Sequence, residues 1–227
     1  MCSSDLIPAR PSPYCRVALV GPSGSGKTWG ALTLATAGLE QAALLSLESL
    51  SPPGFGLPYD TCTASDLSGL LTLIRLAADQ RYPVIVLDCL SSLWTGPKGL
   101  LQLVDQHQGR GWGMVDTELA RLYSAIHSYP GHVIATFRAE EIRLVREVDG
   151  VHRVQTQVGK VSFKADFGAQ FDTILECTGG GLVEVRKGPP SVYGRLVRLD
   201  ELTSICNQGA VAETSPPPYS QIGRAHV

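Results

Sequence analysis

The sequence is short of several things, and each shortage closes a class of function. No apolar run approaches the ~20 residues that a bilayer-spanning helix needs, and the first residues do not follow a secretion-signal pattern. A membrane role is not expected. Positive charge is not in excess: 19 Lys and Arg stand against 21 Asp and Glu, a net charge of -2. No global field therefore draws the chain to nucleic acid or to an anionic membrane, although a local basic strip is compatible with that total. The six cysteines show no metal-ligand spacing, and Cys89 (in VIVLDCL) and Cys177 (after TILE) fall in apolar runs. That usage reads as reduced thiols in a cytoplasmic protein. Internal repeats are also missing.

What is present is 227 residues, 44% of them hydrophobic and 18% charged, enough for one ordinary domain with a real core. The two ends stand apart from it. Read back to codons, MCSSDL and IGRAHV are reverse complements of each other and resemble a common sequencing-library adapter. Residues 1–6 and 222–227 are therefore expected to be translated adapter, with the natural ends elsewhere. The expected organisation is a single domain over residues 7–206, then a disordered Pro- and Ser-rich tail (ETSPPPYSQ) over 207–221.

Within the domain, apolar runs alternate with helical spacing. YCRVALV, AALLSL, PVIVLD and HVIAT read as buried parallel strands, the first leading into a glycine-rich loop. Residues 28–39, 65–80 (capped by Ser65) and 115–128 read as helices, and 49–59 as a Ser/Pro/Gly loop. After residue 138 the texture changes. EIRLVREV and VHRVQTQV alternate around an Asp-Gly pair, a β-hairpin pattern, and FDTILEC, GLVEVRK and SVYGRLVRL read as further short strands. The fold class expected is α/β, a mostly parallel sheet between helices with antiparallel strands added at the C-terminal end.

The strongest motif is GPSGSGKT, residues 21–28, which satisfies G-x-x-x-x-G-K-[ST] between a strand and a helix. Gly21, Gly24 and Gly26 let the loop, with Pro22, Ser23 and Ser25 between them, wrap closely, so that its backbone N–H groups and the helix N-terminus face phosphate oxygens. Lys27 supplies a point charge to the β- and γ-phosphates, and the Thr28 hydroxyl is available to Mg²⁺. Mg²⁺ and ATP are the expected ligands. Asp88, at the end of an apolar strand expected to lie beside the loop's strand, is placed to hold Mg²⁺ through water. Hydrolysis also needs an acid that polarises an in-line water, and Cys89 occupies the position directly after Asp88. Glu48, ending a strand expected to neighbour both others, is the candidate for that acid.

The series GPSGSGKT, LLSLES, VIVLDCLSSLW, GWGMVDTELARLYSAI, HVIATFRAEE, FDTILE and GLVEVRK resembles the RecA-like P-loop ATPases of bacteriophages, of the AAA-domain or ATP-binding type. Within them it is similar to recombination ATPases associated with single-strand annealing. The resemblance covers about residues 16–187. It implies nucleotide and Mg²⁺ at Lys27 and Thr28, Asp88 as the Walker B acid, and Glu48 as the water-activating acid. It further implies a γ-phosphate-sensing residue at Thr136 or Arg138, a homo-oligomer, and the cytoplasm of a bacterial host. The group commonly carries a K-x-R pair that reaches a neighbouring subunit. Here Arg186-Lys187 is followed by GPP, so action in trans is in question. Cys89 stands where the group often has Ser.

Single-stranded DNA is the expected partner, through Arg143, Arg146, Arg153, Lys160 and Lys164 on and after the hairpin. Glu140, Glu141, Glu147 and Asp149 lie among these cations, so a solvated hairpin of mixed charge is an equal reading. Trp94, Trp112 and Phe137 read either as core or as base-stacking aromatics. The leading function is a DNA-coupled ATPase of recombination or replication. A P-loop small-molecule kinase and a weakly hydrolysing ATP-dependent assembly factor stand beside it. A GTPase is disfavoured, because FKAD at 163–166 has Phe163 where a guanine reader needs Asn.

Overall fold

The computed structural model describes residues 14–37, 41–48, 56–108, 110–148, 151–188 and 190–198. The expected adapter-derived ends and the expected tail lie outside the described residues.

Among the described residues, nine strands form one sheet. They are β1 (Arg16–Gly21), β2 (Ala42–Ser46), β3 (Asp60–Thr63), β4 (Val84–Asp88), β5 (His132–Val148), β6 (Val151–Val161), β7 (Thr173–Gly179), β8 (Leu182–Lys187) and β9 (Leu196–Arg198). The order is β3-β2-β4-β5-β1-β7-β8-β9, with β6 paired to β5. Pairings from β3 through β7 are parallel, and β6, β8 and β9 are antiparallel additions. The expected fold class is the observed one.

Strand alternation sorts the core into two layers. Val17 and Leu19 of β1, Leu44 of β2 and Val84 and Val86 of β4 pack with Ala31, Leu32 and Ala35 of helix α1 (Lys27–Thr36). Ala18, Val20, Leu45, Ile85 and Leu87 face the opposite layer, built from α2 (Leu67–Asp79), α3 (Leu90–Thr95), α4 (Leu101–Gln106) and α5 (Trp112–Ser128). Because both faces are covered, the parallel strands read as continuous apolar runs.

Several expectations need correction. The strand bearing Asp88 is not beside β1, because β5 pairs in parallel with both and separates them. β2 accordingly neighbours β4 but not β1. HVIAT and the first hairpin limb are one strand of 17 residues, whose first part lies in the sheet and whose second part pairs with β6. The hairpin connection, 149–150, lies outside the described residues. Helix α2 is capped by Asp66, not Ser65: the Asp66 carboxylate accepts from the Gly69 N–H at 2.9 Å, whereas the Ser65 hydroxyl only donates to Asp66. Strand β3 lies just past the expected 49–59 loop, over residues given no element, and helices α3 and α4 fall where a glycine-containing loop is expected after Asp88.

Buried Arg16, 4% exposed at the start of β1, ties the sheet to the end of α5. Its guanidinium donates to the carbonyls of Gly131 (2.8 Å), Tyr129 (2.9 Å) and His127 (3.1 Å), and to that of Cys15 (3.2 Å).

Candidate functional site

β1 ends at Gly21, and the chain turns through residues 22–26 into α1. Gly24 (φ 76°) and Gly26 (φ 89°) are left-handed, the region where glycine carries no Cβ penalty. Gly21 is required for another reason. A Cβ there would lie 2.6 Å from both the Cys177 carbonyl oxygen and the Ser25 hydroxyl, since β7 passes directly against the loop. Gly21→Ala is therefore expected to cost about 1–3 kcal/mol, as overpacking does. Thermal melting would show a midpoint lower by about 2–12 °C for a domain of this size. An unchanged midpoint would mean that β7 yields without cost.

Around this loop the strand ends converge. Parallel pairing sets Leu19 beside Thr136 and Gly21 beside Arg138, and Ser46 beside Asp88. Although β5 intervenes, α1 leans back across it and the Thr28 hydroxyl donates to Asp88 Oδ2 at 2.9 Å. The buried Thr136 hydroxyl donates to the other oxygen, Oδ1. The Asp88–Cys89 peptide is cis. Two residues along β5 on the same face, Arg138 donates from Nη2 to Glu48 Oε1 at 2.8 Å. Glu48 is fixed from behind: its N–H donates to Ser46 Oγ, while the Leu47 N–H donates to the Asp88 carbonyl. Ser91 Oγ accepts from the Arg138 N–H at 2.8 Å and so anchors that strand end.

Lys27 is buried, and its ammonium donates to the Pro22 carbonyl across the loop at 2.6 Å. Desolvation lowers its pKa, against the pull of Cys89, Cys177 and Asp88. A cation held there gains when an anion arrives. Burial pushes the nearby Cys177 thiol up to about 12, which makes it an inert core group. The Ser25 hydroxyl is buried with no hydrogen-bond partner among the described residues.

Of the sequence-stated candidates, Gly21 to Thr28, Asp88, Glu48 and Arg138 meet at one end of the sheet, and Thr136 joins them. Ser91 and Ser46 were missed; their signal was a hydroxyl within three residues of each strand-end acid. Arg186 instead pairs with Glu176 (2.9 Å) and Glu184 (3.0 Å), and Lys187 donates to the Gly168 carbonyl. Lys164 pairs with Asp116 at 2.6 Å, and Lys160 is exposed on β6. The side chains of Arg143, Arg146 and Arg153 lie outside the described residues, though their backbones occupy the hairpin, with Arg146 opposite Arg153. No helix among the described residues is long and apolar enough to cross a membrane.

A parallel sheet whose first strand feeds a glycine loop and helix, with a strand inserted between it and the Asp88 strand, defines a RecA-like P-loop ATPase core. The chain belongs to the AAA domain family, whose model matches residues 14–186. No curated protein matches the sequence. Among solved structures it is similar to the RadB recombinase (TM-score 0.50, 15% identity, 82% of this chain and 86% of that one). It is also similar to a KaiC-like protein from the hyperthermophilic archaeon Pyrococcus horikoshii (TM-score 0.54, 15% identity, 80% and 83%). At such identity these likenesses concern the fold.

Proposed function

We propose that the protein hydrolyses ATP in a Mg²⁺-dependent reaction and couples it to single-stranded DNA. The observation that carries this reading is the pairing of two acids at one strand-end crevice, Asp88 held by Thr28 and Thr136 and Glu48 held by Arg138. Loop 21–28 would receive the triphosphate, with its outer face open at Gly24 and the desolvated Lys27 facing phosphate. The adjacent hydroxyl of Thr28 and carboxylate of Asp88 are hard oxygen donors that fit Mg²⁺, which keeps few protein ligands and shares the phosphates. Bound there, the ion would neutralise charge that develops on the β- and γ-phosphates. Glu48 is the group for accepting a proton from the attacking water, and Arg138 reaches the same point as a cation for the γ-phosphate. Thr136, buried against Asp88, serves as its positioning residue.

DNA coupling is supported by β5 itself, which runs from Thr136 and Arg138 into the hairpin that carries Arg143, Arg146, Arg153 and Lys160 among its acids. Roles in phage recombination or replication, and assembly of several copies, belong to this same reading through the family resemblance. One cavity supports a second reading. A space of 320 Å³ beside Glu48 and Arg138, also lined by Asp66, Ser92, Thr95 and Lys98, has room for a small phosphoryl acceptor.

Phosphate release from ATP, measured with and without single-stranded DNA at low and moderate salt, tests both. Stimulation that fades as salt rises is expected, because cation–phosphate contacts release counterions. Hydrolysis indifferent to DNA would remove the coupling, and ATP binding without phosphate release would favour the small-molecule kinase.

A further inference from the structure

The structure separates three aromatics that the sequence left together. Phe137 is fully buried and Trp94 is 8% exposed, but Trp112, the first residue of α5, is 47% exposed. We infer that Trp112, backed by Trp94, is a base-stacking platform for single-stranded nucleic acid; this rests on the DNA-coupled reading above.

Three observations lead there. First, Trp112 is not a loose surface side chain. Its ring lies 6.4 Å from that of Trp94, which lies 5.5 Å from Phe163, which lies 5.2 Å from Phe137 in the core beneath β5. An aromatic series of this kind fixes the outermost indole and leaves one side of it to solvent. Second, the platform adjoins the foot of the hairpin. Phe163 lies two residues past the end of β6, and the next residue, Lys164, pairs with Asp116 one turn along α5 from Trp112. Third, each of the two segments that meet here carries an exposed cation, although exposed Asp105 stands on the neighbouring α4. Exposed Arg110 precedes Trp112 by two residues and Lys160 is exposed on β6, and neither has an ion pair among the described residues. The acids of the first α5 turns are already matched, Asp116 by Lys164 and Glu118 by Arg121 at 2.9 Å. An oriented π-face beside unmatched cations is the chemistry that holds single strands with little regard for sequence. Trp94 lies in the last turn of α3, which begins two residues after Asp88, so one short helix joins the platform to the proposed nucleotide site.

Fluorescence anisotropy would compare oligo(dT) with an abasic oligomer of equal length at fixed salt. Trp112→Ala is expected to weaken oligo(dT) binding about tenfold or more, leave abasic binding unchanged, and keep DNA-free ATP hydrolysis. Trp112→Phe should restore most of the loss, and oligo(dT) should quench the intrinsic fluorescence of the unaltered protein, a readout independent of any variant. If Trp112→Ala binds both oligomers as the unaltered protein does while Lys160→Ala weakens both, the platform is wrong and the DNA reading stands. If the unaltered protein binds neither oligomer, the DNA reading fails and the platform with it. If Trp112→Ala changes sedimentation in the absence of DNA and leaves affinity alone, Trp112 belongs to a contact between copies, which also overturns the platform.

Discussion

Glu48→Gln is expected to bind ATP as the unaltered protein does and to hydrolyse it about 10²–10⁴ times more slowly, the usual loss when a general base is removed. The amide has the size of the carboxylate, and its oxygen still accepts from Arg138, so the strand-end geometry should persist. What it loses is the capacity to take a proton. The Glu48–Arg138 ion pair is partly exposed on both sides, so breaking its charge component should change stability little. Lys27, Thr28 and Asp88, on which binding depends in the proposed site, are untouched. Lys27→Ala makes the contrast. It removes a buried cation from the loop proposed to receive the triphosphate, so binding and turnover should fall together. Equilibrium titration with a fluorescent ATP analogue, run beside single-turnover phosphate release, separates the two patterns. Normal turnover by Glu48→Gln would send the search for the acid elsewhere around the crevice.

How much of this was legible in the sequence depends on how local each feature is. The loop was legible because its eight residues are contiguous and its strand and helix flank it directly. The buried strands were legible because parallel strands covered on both faces are uniformly apolar. Strand order was not, since the insertion of β5 between β1 and β4 is decided by long-range pairings, Arg16 with Val133 and Val84 with His132. β3 was hidden because its four residues, DTCT, are all exposed and carry no apolar signal. Helices α3 and α4 were hidden because each has only six residues, too few to display a helical period. In the site, each acid could be named from its place at a strand end. Its partner could not: Thr136 is 48 residues from Asp88, and Arg138 is 90 from Glu48.

Arg16 is the largest case of such a hidden contact, and its replacement should have the largest effect on stability. Read in the sequence, it is one charged residue at the head of an apolar strand. In the fold its guanidinium supplies the donors for the carbonyls of His127, Tyr129 and Gly131, where α5 ends and the chain turns into β5. Desolvation lowers its pKa, only partly offset by Asp172, which also accepts from the Arg16 N–H at 2.8 Å. Its Nε is buried without a hydrogen-bond partner among the described residues, so the group is not free of cost even as it stands. Arg16→Met fills much of the same space and removes every side-chain donor. At about 1–3 kcal/mol for each buried acceptor left unmatched, less the relief of the buried charge, the net loss should be about 3 kcal/mol. For a domain of this size that is a thermal midpoint lower by about 6–12 °C. Arg16→Lys keeps the charge but not the planar fork that serves three carbonyls at once, so it should recover only part of the difference. Because β1 leads straight into loop 21–28, ATP affinity of the folded Arg16→Met protein is a second readout. A lowered midpoint with unchanged affinity would confine Arg16 to holding β1 against α5. Reduced affinity as well would extend its influence to the placement of Gly21 and the loop, and a midpoint within 1 °C of the unaltered protein would show that the three carbonyls find other donors.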